Sequence, residues 1–243
     1  MRKPFVVANW KMNFLNAEVL TYMGTLISEV GQVENVEIGI AAQDIYLPEL
    51  GQMTKTNNIQ VVAQNAHWEN SGSFTGETSP AALFDLGVDY VMLGHFERRE
   101  FFNESNDTVN RKVVTALNDG LKVIVDVEEF EQVEPVLKGI TEEQMSRITI
   151  AFEPTYAIGS GVSASGEGAQ DVARRIRAMI GDLYNLDTAH AVRILYGGSV
   201  TVDNASEFIN QRDIDGVLVG KAGLNVDNFI EMINIARAKV SNG

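Results

Sequence analysis

Three side chains suited to proton chemistry stand close behind short apolar runs of the sequence. Lys11, His95 and Glu153 each follow the end of such a run within three residues. A carboxylate can remove a proton from carbon, an imidazole can stabilise the oxyanion that then develops, and an ammonium group can hold an anion. Together these residue types would support acid–base chemistry, provided that the fold brings them to one place.

The apolar runs predict short, buried β-strands. They lie at 5–8, 36–41, 59–63, 90–93, 122–127, 148–152, 193–196 and 216–219, and they alternate with helix-like segments at 16–30, 46–54, 79–86, 106–119, 129–138, 168–184, 202–210 and 226–240. Such alternation predicts right-handed βαβ units and a parallel sheet. Eight units in 243 residues fit an α/β fold of the closed (β/α)8 barrel type, although an open doubly wound sheet has the same periodicity. No linker or change of composition marks a boundary, so we expect residues 1–243 to form one domain.

A barrel would gather the polar residues that follow these strands. The carboxyl ends of all strands meet on one rim of the barrel, and functional residues concentrate there. On this rim we expect carboxylates, an imidazole, an ammonium group and glycine turns, contributed by Asn9, Lys11, Gln64, Asn65, His95, Glu97, Asp126, Glu128, Glu153, Gly197, Gly198, Ser199, Gly220 and Lys221.

Composition and charge exclude several classes of function. The chain has no cysteine, which excludes disulfides, thiol nucleophiles and thiolate-bound metals, and its three histidines have no metal-ligand spacing. The formal net charge of −14 would repel nucleic acid and anionic lipid. No apolar run approaches the ~18 residues of a membrane span, and the N-terminus has no signal-peptide pattern. We therefore expect a cytoplasmic protein that binds neither a metal, a membrane nor nucleic acid.

Five motifs resemble those of the triosephosphate isomerase family, in the same order along the chain. They are Asn-Trp-Lys-Met-Asn at 9–13, Ser-Gly-Ser-Phe-Thr-Gly-Glu-Thr-Ser at 71–79, Gly-His-Phe-Glu-Arg-Arg at 94–99, Glu-Pro-Thr-Tyr-Ala-Ile-Gly-Ser-Gly at 153–161 and Tyr-Gly-Gly-Ser-Val at 196–200. The resemblance implies a (β/α)8 barrel that interconverts dihydroxyacetone phosphate and D-glyceraldehyde 3-phosphate through an enediolate, without a cofactor and usually as a homodimer.

The resemblance also implies roles for individual residues. Glu153 matches the family's catalytic base, and His95 matches its electrophile, for which the family is a known example of a neutral imidazole at a helix N-terminus. Lys11 matches the cation that binds the substrate's anionic oxygens, with Asn9 beside it. Glu97 would pair with Lys11 and hold it in place.

Glycine turns provide the expected phosphate site. Gly159, Ser199, Gly220 and Lys221 match family positions whose backbone N–H groups bind phosphate, and the stretch 155–161 resembles a lid that closes over the substrate. Residues 159–164 also match the dinucleotide pattern Gly-x-Gly-x-x-Ala. We reject a nucleotide cofactor because the preceding predicted strand ends too early, and the residue that should meet the ribose falls inside a predicted helix.

The loop 64–79 resembles the family's dimer loop. Its tip, Phe74 and Thr75, would be buried against a second copy of the chain. An exposed Trp68 and Phe74 on such a long excursion would be hard to reconcile with a monomer.

Several positions depart from the family pattern. Phe96 replaces a usual serine and is expected to crowd or desolvate Glu153, whereas Asp126 replaces a common cysteine and would add a second carboxylate beneath the base. Glu128 and Lys221 stand where glycines are usual. The segment from 129 to 147 is shorter than is usual in the family, which predicts a short fifth crossover helix. Two alternatives stay open: an isomerase of a larger phosphorylated ketose such as a tetrulose phosphate, and a non-catalytic barrel that binds phosphate ligands.

Overall fold

Parallel strands close into a barrel in chain order. The computed structural model describes residues 2–154 and 165–241. Its strands pair from β1 round to β8 and back to β1, and they comprise β1 (Phe5–Asn9), β2 (Glu37–Ala42), β3 (Ile59–Ala63), β4 (Tyr90–Leu93), β5 (Lys122–Val127), β6 (Ile148–Phe152), β7 (Arg193–Gly198) and β8 (Gly216–Val219). The predicted (β/α)8 barrel is confirmed, and the open sheet is excluded because β1 pairs with β8.

Helices surround the barrel on its outer side. They are α1 (Asn16–Val30), α2 (Leu47–Thr54), α3 (Pro80–Asp85), α4 (Phe96–Phe102), α5 (Asn106–Asn118), α6 (Val133–Leu137), α7 (Glu142–Met145), α8 (Gly166–Leu183), α9 (Leu186–Ala191), α10 (Val202–Ile209) and α11 (Val226–Ser241). The fifth crossover is short, as predicted: a 3-10 turn at Phe130–Gln132 precedes the five-residue α6. No helix in the ranges 2–154 and 165–241 is long and apolar enough to cross a membrane.

Strand alternation separates two apolar cores. Successive residues of a strand point to opposite faces, so one set lines the barrel and the other meets the helices. A compact inner cluster consists of Phe5, Val7, Ala41, Val62, Tyr90, Met92, Ile124, Ala151, Leu195 and Leu218. Each of these side chains is at most 2 % exposed, so the barrel interior is filled and supports the strand ends rigidly.

The same alternation continues into a polar layer at the carboxyl ends of the strands. Two positions beyond Val7, Val62, Ile124, Ala151 and Leu195 in the inner cluster stand Asn9, Gln64, Asp126, Glu153 and Gly197. Residues with this spacing share one face of a strand, so these five lie on the inward face. The apolar barrel core therefore ends directly beneath a layer made of four polar residues and one glycine.

Candidate active site

An open cavity of about 1030 Å³ lies over the carboxyl ends of the strands. Among the residues predicted for the site, it is lined by Asn9, Lys11, His95, Glu97, Glu153, Ser199, Gly220 and Lys221. Gly159 and the whole stretch 155–161 lie within residues 155–164, outside the described residues. The fold thus brings together every predicted site residue that the structure describes.

Glu153 is buried at the end of β6 and faces His95. Its backbone N–H donates to the carbonyl of Val127, 2.8 Å away, which continues the β5–β6 ladder to the site. Its carboxylate Oε2 lies 3.3 Å from Nε2 of His95, and the residue is 6 % exposed. A buried carboxylate held so close to an imidazole is suited to proton transfer.

Gly197 leaves the space in which the Glu153 side chain lies. A Cβ atom at position 197 would come within 2.3 Å of both Cγ and Oε1 of Glu153. Side-chain carbons do not approach so closely, so this position on β7 requires glycine for steric reasons.

His95 caps α4, and the cap determines its tautomer. Its Nδ1 accepts the backbone N–H of Glu97 at 3.2 Å, so Nδ1 carries no proton. The proton of a neutral imidazole must then be on Nε2, the nitrogen that faces Glu153. The predicted helical turn after His95 is therefore present, and it presents an N–H donor at the cavity.

Lys11 is fixed in the cavity by its side chain and by its backbone. Its Nζ lies 2.7 Å from Oε1 of Glu97, as predicted for that pair, and both side chains remain about one-third exposed. Its backbone has φ of 52°, a conformation that non-glycine residues seldom adopt. The Lys11 N–H donates to Oδ1 of Asn9 at 2.9 Å, so Asn9 supports the strained turn.

Gln64 has a role that the sequence did not reveal. Its side-chain amide donates to the carbonyl of Lys11 at 3.0 Å and to that of Ala41 at 2.9 Å, and it also approaches Oδ1 of Asn9 at 3.3 Å. Gln64 thus ties the segment after β1 to β2. The sequence predicted only that Gln64 lies on the rim, because the residue type of a single glutamine does not show which groups it will bond.

Arg99 is a second residue whose role sequence reasoning missed. From α4 its guanidinium donates to the carbonyl of Gly94 at 2.7 Å, to Oδ1 of Asn106 at 2.7 Å and to the carbonyl of Asp126 at 3.3 Å. Burial lowers the pKa of Arg99, and the charge of Glu128 opposes this shift. The arginine fastens the helix that carries His95 to the end of β5.

The segments that follow β7 and β8 form the side of the cavity where the phosphate group is expected to bind. Ser199 follows β7, and its carbonyl accepts the side-chain amide of Asn204 at 3.1 Å. Gly220 and Lys221 begin the 3-10 turn Lys221–Leu224, and a Cβ at position 220 would lie 3.4 Å from Cε of Lys11. The N–H groups that open a helical turn have no acceptor within it, which suits them to anions.

Comparison with known proteins assigns the family. Residues 4–236 match the family model of triosephosphate isomerase. The chain belongs to the triosephosphate isomerase family. It is 39 % identical to the triosephosphate isomerase of Lactiplantibacillus plantarum over 96 % of this chain and 98 % of the relative. It is 42 % identical to that of Alkaliphilus oremlandii over 96 % of this chain and all of the relative.

Membership of the triosephosphate isomerase family makes this chain an aldose–ketose isomerase that acts on a small phosphorylated sugar. Three relatives that each cover 96 % of this chain share this name, and none of the three favours a tetrulose phosphate or a non-catalytic barrel.

Phe96 and Asp126, two of the departures from the triosephosphate isomerase pattern, lie in and beneath the cavity. Phe96 lines it, half-buried, and its ring meets that of Phe101 edge-on with centroids 6.4 Å apart. Asp126 is buried in the polar layer, and burial together with the charge of Glu153 raises the pKa of its carboxyl well above the usual value. The second carboxylate expected near the base is therefore present.

Glu128 and Trp68 are both half-buried, and each contacts an arginine. Glu128 approaches the guanidinium of Arg99 at 3.9 Å, and burial raises its pKa. Trp68 was expected to be exposed, but it is half-buried because it stacks on His67 at 4.1 Å and lies under Arg111 at 4.5 Å. Phe74, at 41 % exposure, is the exposed aromatic residue of that loop.

Proposed function

We propose that this chain interconverts dihydroxyacetone phosphate and D-glyceraldehyde 3-phosphate, with Glu153 as the base and His95 as the electrophile. The observation that carries this proposal is the 3.3 Å approach of Glu153 Oε2 to His95 Nε2 within a cavity that also holds the Lys11 ammonium group. A base, a hydrogen-bond donor and a cation are the groups that this proton transfer needs.

The reaction moves one proton between two carbons, by way of Glu153, and one proton between two oxygens, and it needs no other reagent. Glu153 removes a proton from the carbon beside the carbonyl, and the electrons of that C–H bond form the C–C double bond of an enediolate. The N–H of His95 donates a hydrogen bond to the carbonyl oxygen as its negative charge grows. Glu153 then returns its proton to the neighbouring carbon, and the hydroxyl proton moves between the two oxygens beside His95.

The tautomer of His95 matters for its proposed role as the electrophile. An imidazole whose Nδ1 accepts a backbone N–H can donate only from Nε2, so the donor is aimed without a competing tautomer. Lys11 supplies the positive charge instead. Its pairing with Glu97 keeps the ammonium group extended toward the cavity.

For the phosphate group we propose the N–H groups of Ser199, Gly220 and Lys221, together with Gly159. The first three line the side of the cavity formed after β7 and β8. The side chain of Lys221 is exposed and would add a cation there. We retain the role of Gly159 and the lid function of 155–161 as predictions from the resemblance.

We further propose a homodimer that forms through the loop 64–79. The segments after β1 to β4 carry exposed apolar side chains: Met12 at 87 %, Ile45 at 74 %, Phe74 at 41 %, Phe101 at 68 % and Phe102 at 62 % exposure. The loop is joined to the turn after β2 by a hydrogen bond from Thr78 to Asp44, and that turn to the segment after β1 by Gln43 and Asn13. Apolar surface on neighbouring loops is typical of a protein interface.

We also propose that residues 1–243 form one domain and that the protein is cytoplasmic, as expected for an enzyme of phosphorylated-sugar metabolism. The closed barrel supports the first point, since its first strand pairs with its last.

Glu153→Gln tests the proposed base. In a coupled assay with D-glyceraldehyde 3-phosphate, loss of a general base should lower kcat by about 10²- to 10⁴-fold. The amide has nearly the same volume, so circular dichroism should be unchanged. A folded variant with wild-type kcat would show that Glu153 is not the base. If the wild type converts a four-carbon ketose phosphate faster than a three-carbon one, the proposed substrate is wrong.

A further inference from the structure

Asp126 has a buried carboxyl group that the proposed mechanism does not use. It is 1 % exposed, and neither of its side-chain oxygens has a hydrogen-bond partner among the described residues. Its contact with Arg99 is made by the backbone carbonyl and leaves the carboxyl untouched. An unpartnered charge in such a place is strongly unfavourable, so the carboxyl requires either a partner or a proton.

The position of Asp126 points to Glu153 as that partner. Asp126 pairs with Ala151 in the register of β5 and β6, and Glu153 stands two residues beyond Ala151 on the same inward face. Asp126 therefore lies one step below the base on the neighbouring strand. Oε2 of Glu153 is likewise buried and has no hydrogen-bond partner of suitable geometry among the residues that the structure describes. Both Asp126 and Glu153 thus have carboxyl oxygens without a partner in the described part of the chain.

The surrounding charges do not neutralise two carboxylates. The ionisable groups that face Asp126 are Glu153 from β6, Arg99 from α4, Lys11 from the segment after β1 and Glu128 from the loop after β5. Arg99 and Lys11 favour ionisation of Asp126, but Lys11 is already paired with Glu97, and Glu128 opposes them. Two carboxyl groups in one buried site share a proton unless cations outweigh them.

We propose that Asp126 is a protonated positioning residue, whose carboxylic O–H donates a hydrogen bond to the Glu153 carboxylate from below. This inference rests on the proposed role of Glu153 as the base. The bond supplies the missing partner of each group, holds the base in its place over Gly197, and leaves a single negative charge in the pair. Asp126 stays protonated throughout turnover and does not exchange its proton with the substrate.

The protonation state can be measured without activity. In the wild-type protein at neutral pH, we expect the infrared band of a protonated carboxylic acid, which shifts when aspartate is labelled with ¹³C and which is absent from Asp126→Asn. If Asp126→Asn does not fold, Asp126→Cys, which carries the residue common in the family, replaces it. A wild-type spectrum with carboxylate bands alone overturns the proposal.

Kinetics test whether the proton supports the base. Asp126→Ala removes the donor, and we expect kcat/KM to fall by about 10- to 100-fold, the effect of one hydrogen bond to a charged group. Asp126→Asn retains an N–H donor and should recover most of this loss. We expect kcat/KM of the wild type to fall at alkaline pH as Asp126 ionises, and Asp126→Asn should lack this fall. If Asp126→Asn is as impaired as Asp126→Ala and has the wild-type pH profile, the proposal is wrong.

Two further variants separate this inference from the proposed function. Thr149→Val is a matched control, because Thr149 is also buried on β6, and its hydroxyl oxygen has no partner in the ranges 2–154 and 165–241. It lies four residues before Glu153, so the pH profile of Thr149→Val should equal that of the wild type. In Glu153→Gln the charge above Asp126 is absent, so the protonated band should disappear at lower pH than in the wild type. If this band disappears at the same pH in Glu153→Gln as in the wild type, the proposed bond between Asp126 and Glu153 is wrong. Full turnover by Glu153→Gln would overturn only the assignment of Glu153 as the base.

Discussion

At the scale of single residues, the missing side chain of Gly197 determines where the proposed base can lie. A methyl group there would overlap Cγ and Oε1 of Glu153 at 2.3 Å. Chemistry that depends on alignment is sensitive to such displacement, since a shift of about 1 Å can cost about 100-fold in rate.

Gly197→Ala should therefore lower kcat by about 100-fold, while KM changes little because Lys11 and the proposed phosphate site are untouched. Steady-state kinetics and a crystal structure of the variant would check this. Gly24→Ala is a suitable control: a Cβ there meets nothing within 4 Å on the exposed face of α1. It should keep wild-type kcat and stabilise the helix by about 1 kcal/mol. An unimpaired Gly197→Ala enzyme would contradict the steric argument.

Asp126 also links stability to pH. Its native pKa lies above the value of about 4 that the unfolded chain has, so the native state binds this proton more tightly. Below about pH 4 both states hold the proton, and the contribution of Asp126 to stability is fully present. As the pH rises toward the native pKa, the unfolded state loses its proton first, and the free energy of unfolding falls by up to about 1.4 kcal/mol per pH unit.

Asp126→Asn should abolish this decline. Denaturant unfolding at several pH values between about 5 and about 8 should show the variant gaining stability relative to the wild type as the pH rises. Asp171→Asn, in which a 56 % exposed side chain on α8 changes in the same way, should leave the slope as it is. Parallel stability curves for Asp126→Asn and the wild type would show that Asp126 is ionised in the native state.

At the scale of elements, the short helix α4 places His95, the proposed electrophile. His95 begins the helix, and Arg99 in its next turn is bonded to Gly94, Asn106 and the end of β5. The guanidinium group makes these bonds in three directions, which an ammonium group on a more flexible stem cannot reproduce.

Arg99→Lys should lower the free energy of unfolding by about 2 kcal/mol, because buried carbonyl and amide oxygens lose donors. It should also lower kcat, since the N-terminal end of α4 is no longer held against β5. Arg174→Lys, at an exposed pair with Asp171 on α8, should change stability by less than about 0.5 kcal/mol. Equal stability of the two variants would show that the bonds of Arg99 are dispensable.

The elements also show how far the sequence could be interpreted. Val- and Ile-rich strands of a buried parallel sheet are nearly continuous apolar runs, so the bounds of β1 to β8 were predicted within two residues. The separate short helices α7 and α9 were missed because local caps such as Thr141 and Asn185 hold them, not a long apolar stripe. Residue types at strand ends indicated Glu153, His95 and Lys11.

The supporting contacts could not be predicted from the sequence. Gln64 and Gly197 act through bonds or space shared with residues more than 20 positions away, and one of the bonds of Arg99 reaches Asp126, 27 positions away. A single sequence does not encode such contacts locally. The burial of Trp68 depends in the same way on Arg111 of another element.

At the scale of the whole molecule, exposed apolar side chains are concentrated on the segments after β1 to β4. We expect sedimentation to show a dimer and Ile45→Arg to shift it toward monomer, because a buried arginine at the interface would lack a partner. Leu186→Arg, 70 % exposed on α9 just before β7, is the matched control and should remain dimeric. A wild-type monomer at working concentration would contradict the proposed interface.

The most direct test of the whole account is isotope exchange during turnover. Dihydroxyacetone phosphate is incubated with the enzyme in D₂O, and deuterium at its hydroxyl-bearing carbon is followed by NMR. If Glu153 removes a carbon-bound proton, the wild type should incorporate deuterium into substrate and product, and folded Glu153→Gln should do so at least about 100-fold more slowly. Equal incorporation by both proteins would contradict the assignment of Glu153 as the base.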